Sequence, residues 1–130
     1  MLVMRSIVTF LVSILLHACA SDLAIDLSGG YLYRDEGGDI KDIFNRNGMG
    51  EIPATVNAYD YDDDFIIAKQ RPKWPGDPLY ERQPDYWLGI QYEYYWIIDL
   101  KQGTILGPLD EAGYWATRSQ LGVPAELVLQ

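Results

Sequence analysis

Alternation of apolar and polar residues predicts several β-strands along the middle of the chain. Residues 52–61 place small and aliphatic side chains on one face and Thr, Asn and Tyr on the other, a period of two that is typical of a half-buried strand. Residues 65–70 resume this pattern, so the two segments are predicted to form a hairpin that turns at Asp62–Asp64. Residues 86–100 alternate over fifteen positions, which predicts a long strand with a bend near Gly89.

The two faces of the 86–100 segment are predicted to differ in environment. One face carries the apolar and aromatic residues and is expected to lie in the core: Ile90, Tyr92, Tyr94, Trp96, Ile98 and Leu100. Tyr95 lies on the other face and Trp87 in the flanking sequence, so both are candidates for an exposed interaction patch.

Turn and cap residues divide the rest of the chain. Residues 31–34 predict a short strand ending in a hairpin at Gly37–Gly38, and residues 104–106 predict another short strand. A helix is expected to begin after Asp110, a good N-cap, and to end at Gly122. These elements predict a mainly β (α+β) fold, a small antiparallel sheet or sandwich with one short C-terminal helix.

Residues 1–18 have the pattern of a secretory signal peptide, with Arg5 before an apolar run of ten residues. The run is too short to cross a bilayer core, which takes about 20 residues. Leu16-His17-Ala18-Cys19 resembles the lipobox of bacterial lipoproteins, which is cut before the cysteine and carries lipid on its sulfur. The alternative is a cut after Ala20, which would remove Cys19 with the signal.

Lipidation of Cys19 is the favoured interpretation, because the only thiol of the chain stands where a lipoprotein needs it. The chain then comprises a signal peptide (1–18), an anchor and tether (19–28) and a single β-rich domain (29–130). We expect it to cross the inner membrane and to stay lipid-anchored in the cell envelope, facing the periplasm in a Gram-negative host. Several acyl chains on one cysteine give a stable hold on the bilayer.

Charge and the scarcity of reactive side chains restrict the function classes. Ten Lys and Arg against nineteen Asp and Glu give a formal net charge of -9, which disfavours nucleic acid because phosphate binding needs clustered cations. The only His and the only Cys stand at positions 17 and 19, so the predicted domain lacks the base of Ser–His and Cys–His catalysis. We expect no cofactor and no enzymatic activity.

Two groups of carboxylates are the remaining candidates for chemistry. Glu93 and Asp99 are six positions apart, about 20 Å along a strand, which is too far for the ~5–10 Å separation of a glycosidase pair. Asp60, Asp62 and Asp64 alternate as ligands of a hard cation do, but they lack the glycine and the bidentate glutamate of an EF-hand loop. They are weak metal candidates, and a charged hairpin turn that discourages edge pairing is the favoured interpretation.

A proline-rich segment carries aromatic residues that are typical of a binding surface. Residues 71–84 contain four prolines and are predicted to form a long, ordered loop. We expect a protein partner to bind around this loop, because Trp and Tyr offer large apolar area with few rotors. The predicted partner-binding residues are Trp74, Tyr80, Trp87 and Tyr95. The alternative is that the loop folds back on the sheet as a lid.

Several short motifs follow the lipobox in a definite order. They are Gly29-Gly30-Tyr31, Ile52-Pro53, Asp62-Asp63 before residues 65–70, Tyr95-Trp96-Ile97-Ile98-Asp99, Gly107-Pro108-Leu109 and Leu121-Gly122-Val123-Pro124. Their order and spacing resemble a family of small bacterial lipoproteins known only as a domain of unknown function. The resemblance implies a secreted, lipid-anchored, β-rich domain, and it implies no activity and no catalytic residues.

Three functions are consistent with the sequence. The favoured one is a non-enzymatic envelope lipoprotein that binds a protein partner or has a structural role. The second is an immunity-type inhibitor of a secreted toxin, in which acidic charge speeds association with a basic active site. The third is a carbohydrate-binding module or hydrolase accessory, which needs a cleft with exposed aromatic residues.

Overall fold

A computed structural model describes residues 23–76 and 83–130 of the chain. These residues form two four-stranded antiparallel sheets and one short helix, which confirms the mainly β fold class. The predicted signal peptide, Cys19 and Tyr80 lie outside the described residues. Within the two described ranges, no helix is long and apolar enough to span a membrane.

Sheet A contains the first four strands, paired in sequence order. They are β1 (Leu23–Asp26), β2 (Tyr31–Asp35), β3 (Lys41–Asn45) and β4 (Glu51–Ile52). The strand predicted at residues 31–34 is confirmed, and so is its hairpin, in which Ile40 N–H donates to the carbonyl of Gly37 over 3.1 Å. Strand β1 lies within the segment that the sequence assigned to the anchor and tether.

Sheet B contains the other four strands, again in sequence order. They are β5 (Val56–Tyr61), β6 (Phe65–Gln70), β7 (Tyr94–Asp99) and β8 (Thr104–Leu109). The hairpin at the aspartates is confirmed, since Asp62 Oδ1 accepts from the backbone N–H groups of Asp64 and Phe65 over 2.8 and 2.7 Å.

The continuous strand predicted over residues 52–61 is wrong. Ile52 ends a strand of sheet A, whereas Val56 begins a strand of sheet B, so the chain passes from one sheet to the other between them. Pro53 lies at this crossing, where a residue without an N–H removes no ladder hydrogen bond.

The long strand predicted over residues 86–100 is also wrong, because only Tyr94–Asp99 is a strand. The residues before it fold back in turns, with Leu88 N–H donating to the Tyr94 hydroxyl over 2.8 Å. Ile90 and Tyr92, predicted to be core, are therefore exposed, at 40% and 50%. The other members of the predicted core face are buried or partly buried: Tyr94, Trp96, Ile98 and Leu100.

Sheet B is the middle layer of the fold, with one core on each side. The core between the two sheets contains Tyr31, Ile43, Ile52, Val56, Ile66, Ala68, Trp96 and Ile98. The core on the other face of sheet B contains Phe65, Ile67, Ile97, Tyr114 and Leu127. The second core lies beneath helix α1 (Glu111–Leu121) and the C-terminal tail, so strands β6 and β7 are buried on both faces.

The ends of helix α1 are those that the sequence predicts. Asp110 Oδ1 accepts from Gly113 N–H over 2.6 Å, which satisfies a donor of the first turn. Gly122 ends the helix in the left-handed conformation, at φ 70° and ψ 36°.

Candidate functional site

A buried hydrogen-bond network fixes one end of sheet B to the loop that follows it. The fully buried Gln70, the last residue of β6, accepts from the Trp96 indole N–H over 2.7 Å. Its Nε2 donates to the Tyr86 hydroxyl over 2.9 Å and to the Ala54 carbonyl over 3.3 Å. Burial raises the pKa of Tyr86, and the hydrogen bond from Gln70 lowers it by less. The segment around Tyr86 is thus hydrogen-bonded to a residue of the core.

Two further contacts hold the neighbouring segments in place. The Tyr94 hydroxyl accepts from Leu88 N–H and donates to the Gly89 carbonyl over 2.9 Å. Arg71 Nη2 donates to the Gln91 carbonyl over 3.0 Å, which joins the segment after β6 to the segment before β7. Because Gln70 pairs with Tyr94 in the sheet, both segments leave sheet B at the same end.

These segments present four large apolar side chains to solvent, which we call the loop surface. Trp74 is 73% exposed, Trp87 55%, Tyr92 50% and Ile90 40%. Exposed aromatic groups of this size on an ordered backbone are typical of interaction sites. Neither Trp74 nor Trp87 folds back on the sheet, so the lid alternative does not hold for these two residues.

The surroundings of Trp74 are mixed in character. A recess of about 240 Å³ lies beside the indole, lined by Asp39, Thr55, Asn57, Arg71, Pro72 and Lys73. Lys73 Nζ lies 3.5 Å from the Pro75 carbonyl, and Arg71 donates to a carbonyl as well. Among the described residues, neither cation forms an ion pair.

Two of the predicted partner-binding residues are exposed on the segments that leave sheet B at the same end, and a third lies elsewhere. Trp74 and Trp87 both belong to the loop surface, whereas Tyr80 lies outside the described residues. Tyr95 is half-buried on the helix side of sheet B, where its ring stacks on Tyr114 at 4.8 Å between centroids. Tyr95 is therefore not one of the exposed side chains of the loop surface.

Ile90 and Tyr92 were expected in the core and instead belong to the loop surface. The signal that identifies them is Gly89, which breaks the alternation and adopts a φ of 110°. A glycine at this position indicates a turn. The residues between this turn and β7, which include Ile90 and Tyr92, then need not share a face with the strand.

The three aspartates considered as metal ligands bind backbone and lysine groups. Asp62 caps the turn, and Asp60 accepts from Val128 N–H through Oδ2 over 3.0 Å. Asp64 Oδ2 lies 3.5 Å from Lys101 Nζ. In the part of the chain that the structure describes, no three or more His, Cys, Asp or Glu side chains converge as metal ligands do.

Comparison with known proteins identifies the family. Residues 29–130 match the family described as "Protein of unknown function (DUF3997)", over more than three quarters of the chain. No curated protein and no solved structure matches the chain. The match runs from just before β2 to the end of the tail, so it includes the loop surface and all elements except β1. The resemblance to a domain of unknown function is thereby confirmed: the chain belongs to the DUF3997 family.

Proposed function

We propose that the protein is a non-enzymatic, lipid-anchored protein of the bacterial cell envelope that binds a protein partner through the loop surface. The observation that carries this proposal is the exposure of four large apolar side chains, Trp74, Trp87, Ile90 and Tyr92, at one end of sheet B. Exposed aromatic side chains of this kind supply the anchor residues of a protein interface.

The attachment of the loops to the core strengthens the argument. Association is opposed by the loss of side-chain and loop freedom, at about 0.5–1.5 kcal/mol for each side chain that becomes ordered. Here Gln70, Tyr86 and Tyr94 hold the backbone around Trp87 before any partner arrives. Binding then orders little of the segment around Trp87 beyond its exposed ring.

The charges beside Trp74 indicate the kind of partner. Arg71 and Lys73 line the recess beside the exposed indole, together with one acid, Asp39, in a chain whose net charge is -9. A partner with an apolar pocket and carboxylates at its rim complements this part of the surface. The cations would contribute mainly to orientation and to the rate of association.

The predicted anchor restricts where the partner is met. Only four positions separate Cys19 from Leu23, the first residue of β1. An extended chain of that length spans about 14 Å. Lipid on Cys19 would therefore hold the domain close to the bilayer, and the partner would be a membrane protein or another envelope protein within reach of that surface.

Site-specific photo-crosslinking in cells that express the full chain tests the proposal. A photoreactive amino acid is placed at position 74, at position 87 or, as the control, at position 61. Tyr61 is also exposed, at 37%, but it lies at the opposite end of β5, beside the aspartate turn. We expect one protein to be captured from positions 74 and 87 and not from position 61. No adduct at positions 74 and 87, or the same adduct from all three positions, would contradict the proposal.

A further inference from the structure

A groove runs between helix α1 and the C-terminal tail, on the side of sheet B opposite to sheet A. It consists of two recesses of about 300 and 280 Å³, and Trp115, Arg118 and Val128 line both. Val123, Ala125 and Leu127 complete the wall of the first recess together with Ser119. The second recess also contains Lys69 and Glu111, so charged groups of both signs lie at that end of the groove. The first recess is largely apolar, and the Arg118 guanidinium lies between the two.

Arg118 is a buried cation with neutral partners. It is only 7% exposed, and its Nη1 and Nη2 donate to the Tyr114 hydroxyl and the Pro124 carbonyl over 2.9 and 2.8 Å. Within the described ranges, no carboxylate lies within ion-pair distance of the guanidinium. A buried charge without a counter-charge is unfavourable, and an anion that enters the groove would relieve that cost.

The wall beside Arg118 suits an apolar group attached to that anion. The guanidinium carbon lies 5.2 Å from the centroid of the Trp115 ring, and Trp115 is 57% exposed. A ligand with its charged end on Arg118 would thus meet the indole and the aliphatic wall within one side-chain length.

We propose that the groove binds a carboxylate that carries an apolar side chain, as the free C-terminus of a peptide does. The planar guanidinium matches the geometry of a carboxylate and of a phosphate alike. The net charge of -9 repels a dianionic phosphate more strongly than a monoanionic carboxylate. This site lies on the helix side of sheet B and does not depend on the loop surface.

A pair of small probes tests the role of the charge on the unmodified protein. N-acetyl-leucine has the carboxylate and the side chain, and N-acetyl-leucinamide has the same side chain without the charge. In an NMR titration of the purified full chain, N-acetyl-leucine is expected to shift the Trp115 indole N–H and the Arg118 side-chain resonances in a saturable way. The amide is expected to leave them in place. Equal shifts with both probes, or no saturable shift with either, would overturn the proposal.

Three variants, two at tryptophans and one at Arg118, test the position of the site. Because Trp115 is 57% exposed, Trp115→Ala is expected to leave the fold intact and to weaken the binding of N-acetyl-leucine about three- to tenfold. Trp87→Ala, on the loop surface, is the control and is expected to leave this binding unchanged. Arg118→Lys keeps the positive charge but loses the planar guanidinium. We expect it to weaken the binding of N-acetyl-leucine more than Trp115→Ala does. Unchanged affinity in Trp115→Ala and Arg118→Lys, or an equal loss in Trp87→Ala, would place the site elsewhere.

Discussion

The indole N–H of Trp96 donates to Oε1 of Gln70 over 2.7 Å in the interior of the protein, where the two residues are 4% and 0% exposed. The same amide donates through Nε2 to Tyr86, the residue next to Trp87 of the loop surface. A single buried side chain thus connects the core between the sheets to the proposed interface. This connection holds in place the backbone of the described segment that carries the exposed Trp87.

Loss of the Trp96 side chain is expected to destabilise the fold strongly. Trp96→Ala removes a buried ring and leaves Gln70 Oε1 without its donor, which should lower the free energy of unfolding by about 3–5 kcal/mol. Trp96→Phe retains most of the packing and is expected to lose less. Urea unfolding monitored by circular dichroism measures both variants. A loss below ~1 kcal/mol for Trp96→Ala would contradict the burial of this residue.

Gly107 is expected to tolerate no side chain, because it lies against the Trp96 ring. An added Cβ would be 2.5 Å from Trp96 Cε3, and the backbone φ of 151° is unfavourable for other residues. Gly107→Ala should therefore lower stability by about 1–3 kcal/mol. Gly103→Ala is the matched control, since Gly103 also has a positive φ of 66° but no atom lies within 4 Å of the added Cβ. Equal losses in the two variants would show that the contact with Trp96 contributes nothing.

Stability is expected to fall at alkaline pH. Burial raises the pKa of Tyr86 and of Tyr114 above the ordinary value of 10.0, and hydrogen bonds from Gln70 and Arg118 offset this only in part. The unfolded chain therefore loses these protons first, so the stabilisation is complete below about pH 10 and is lost as the pH rises through the folded pKa values.

Urea unfolding at about pH 9 and about pH 11 measures this loss. In Tyr86→Phe the decrease between the two pH values should be smaller than in the natural protein, whatever the stability of the variant at the lower pH. An identical decrease in both proteins would contradict the proposed role of Tyr86.

The membrane anchor is expected to depend on Cys19 alone. Cys19→Ala should move the protein from the membrane fraction to the soluble envelope fraction or leave the signal peptide uncleaved, because the thiol is the proposed site of lipid attachment. Intact mass of the natural protein, purified from membranes, should show the added acyl groups. A Cys19→Ala protein that is processed and still retained in the membrane would rule out the lipid anchor.

Local signals in the sequence predicted much of the fold. The hairpin at Asp62–Asp64 follows from residues whose side chains bond their own backbone, and helix α1 follows from its caps, Asp110 and Gly122. The strand at residues 41–45 lacked such a signal, because it is short and its flanks carry no alternation.

The main errors arose where tertiary structure overrides the pattern. Ile90 and Tyr92 extend the alternation of β7 back as far as Gly89, but the hydrogen bonds of Tyr94 turn that segment away from the sheet. Tyr95 was considered for an exposed patch because it lies on the face opposite to the apolar one, which also carries Asp99. That face is covered by helix α1, and alternation alone cannot show that a strand is in the middle of three layers.

The sequence predicted some of the residues of the candidate site but not the hydrogen bonds that position them. Trp74 and Trp87 stand out in the sequence as large aromatics within or shortly after a proline-rich segment, and both are exposed. The role of Gln70 was not predictable, because a glutamine at the end of a strand carries no sign of the network that it forms. The role of Arg118 was not predictable either, because its hydrogen-bond partners come from the tail as well as the helix.

The central claim is that the loop surface is a protein interface, and calorimetric titration of the crosslinked partner tests it most directly. Trp74→Ala and Trp87→Ala are each expected to weaken binding about tenfold or more, while Tyr61→Ala binds as the natural protein does. Melting temperatures of all three variants should stay within about 2 °C of the natural value, since these side chains are exposed. Normal binding by both tryptophan variants, or a loss of binding that accompanies unfolding, would contradict the account.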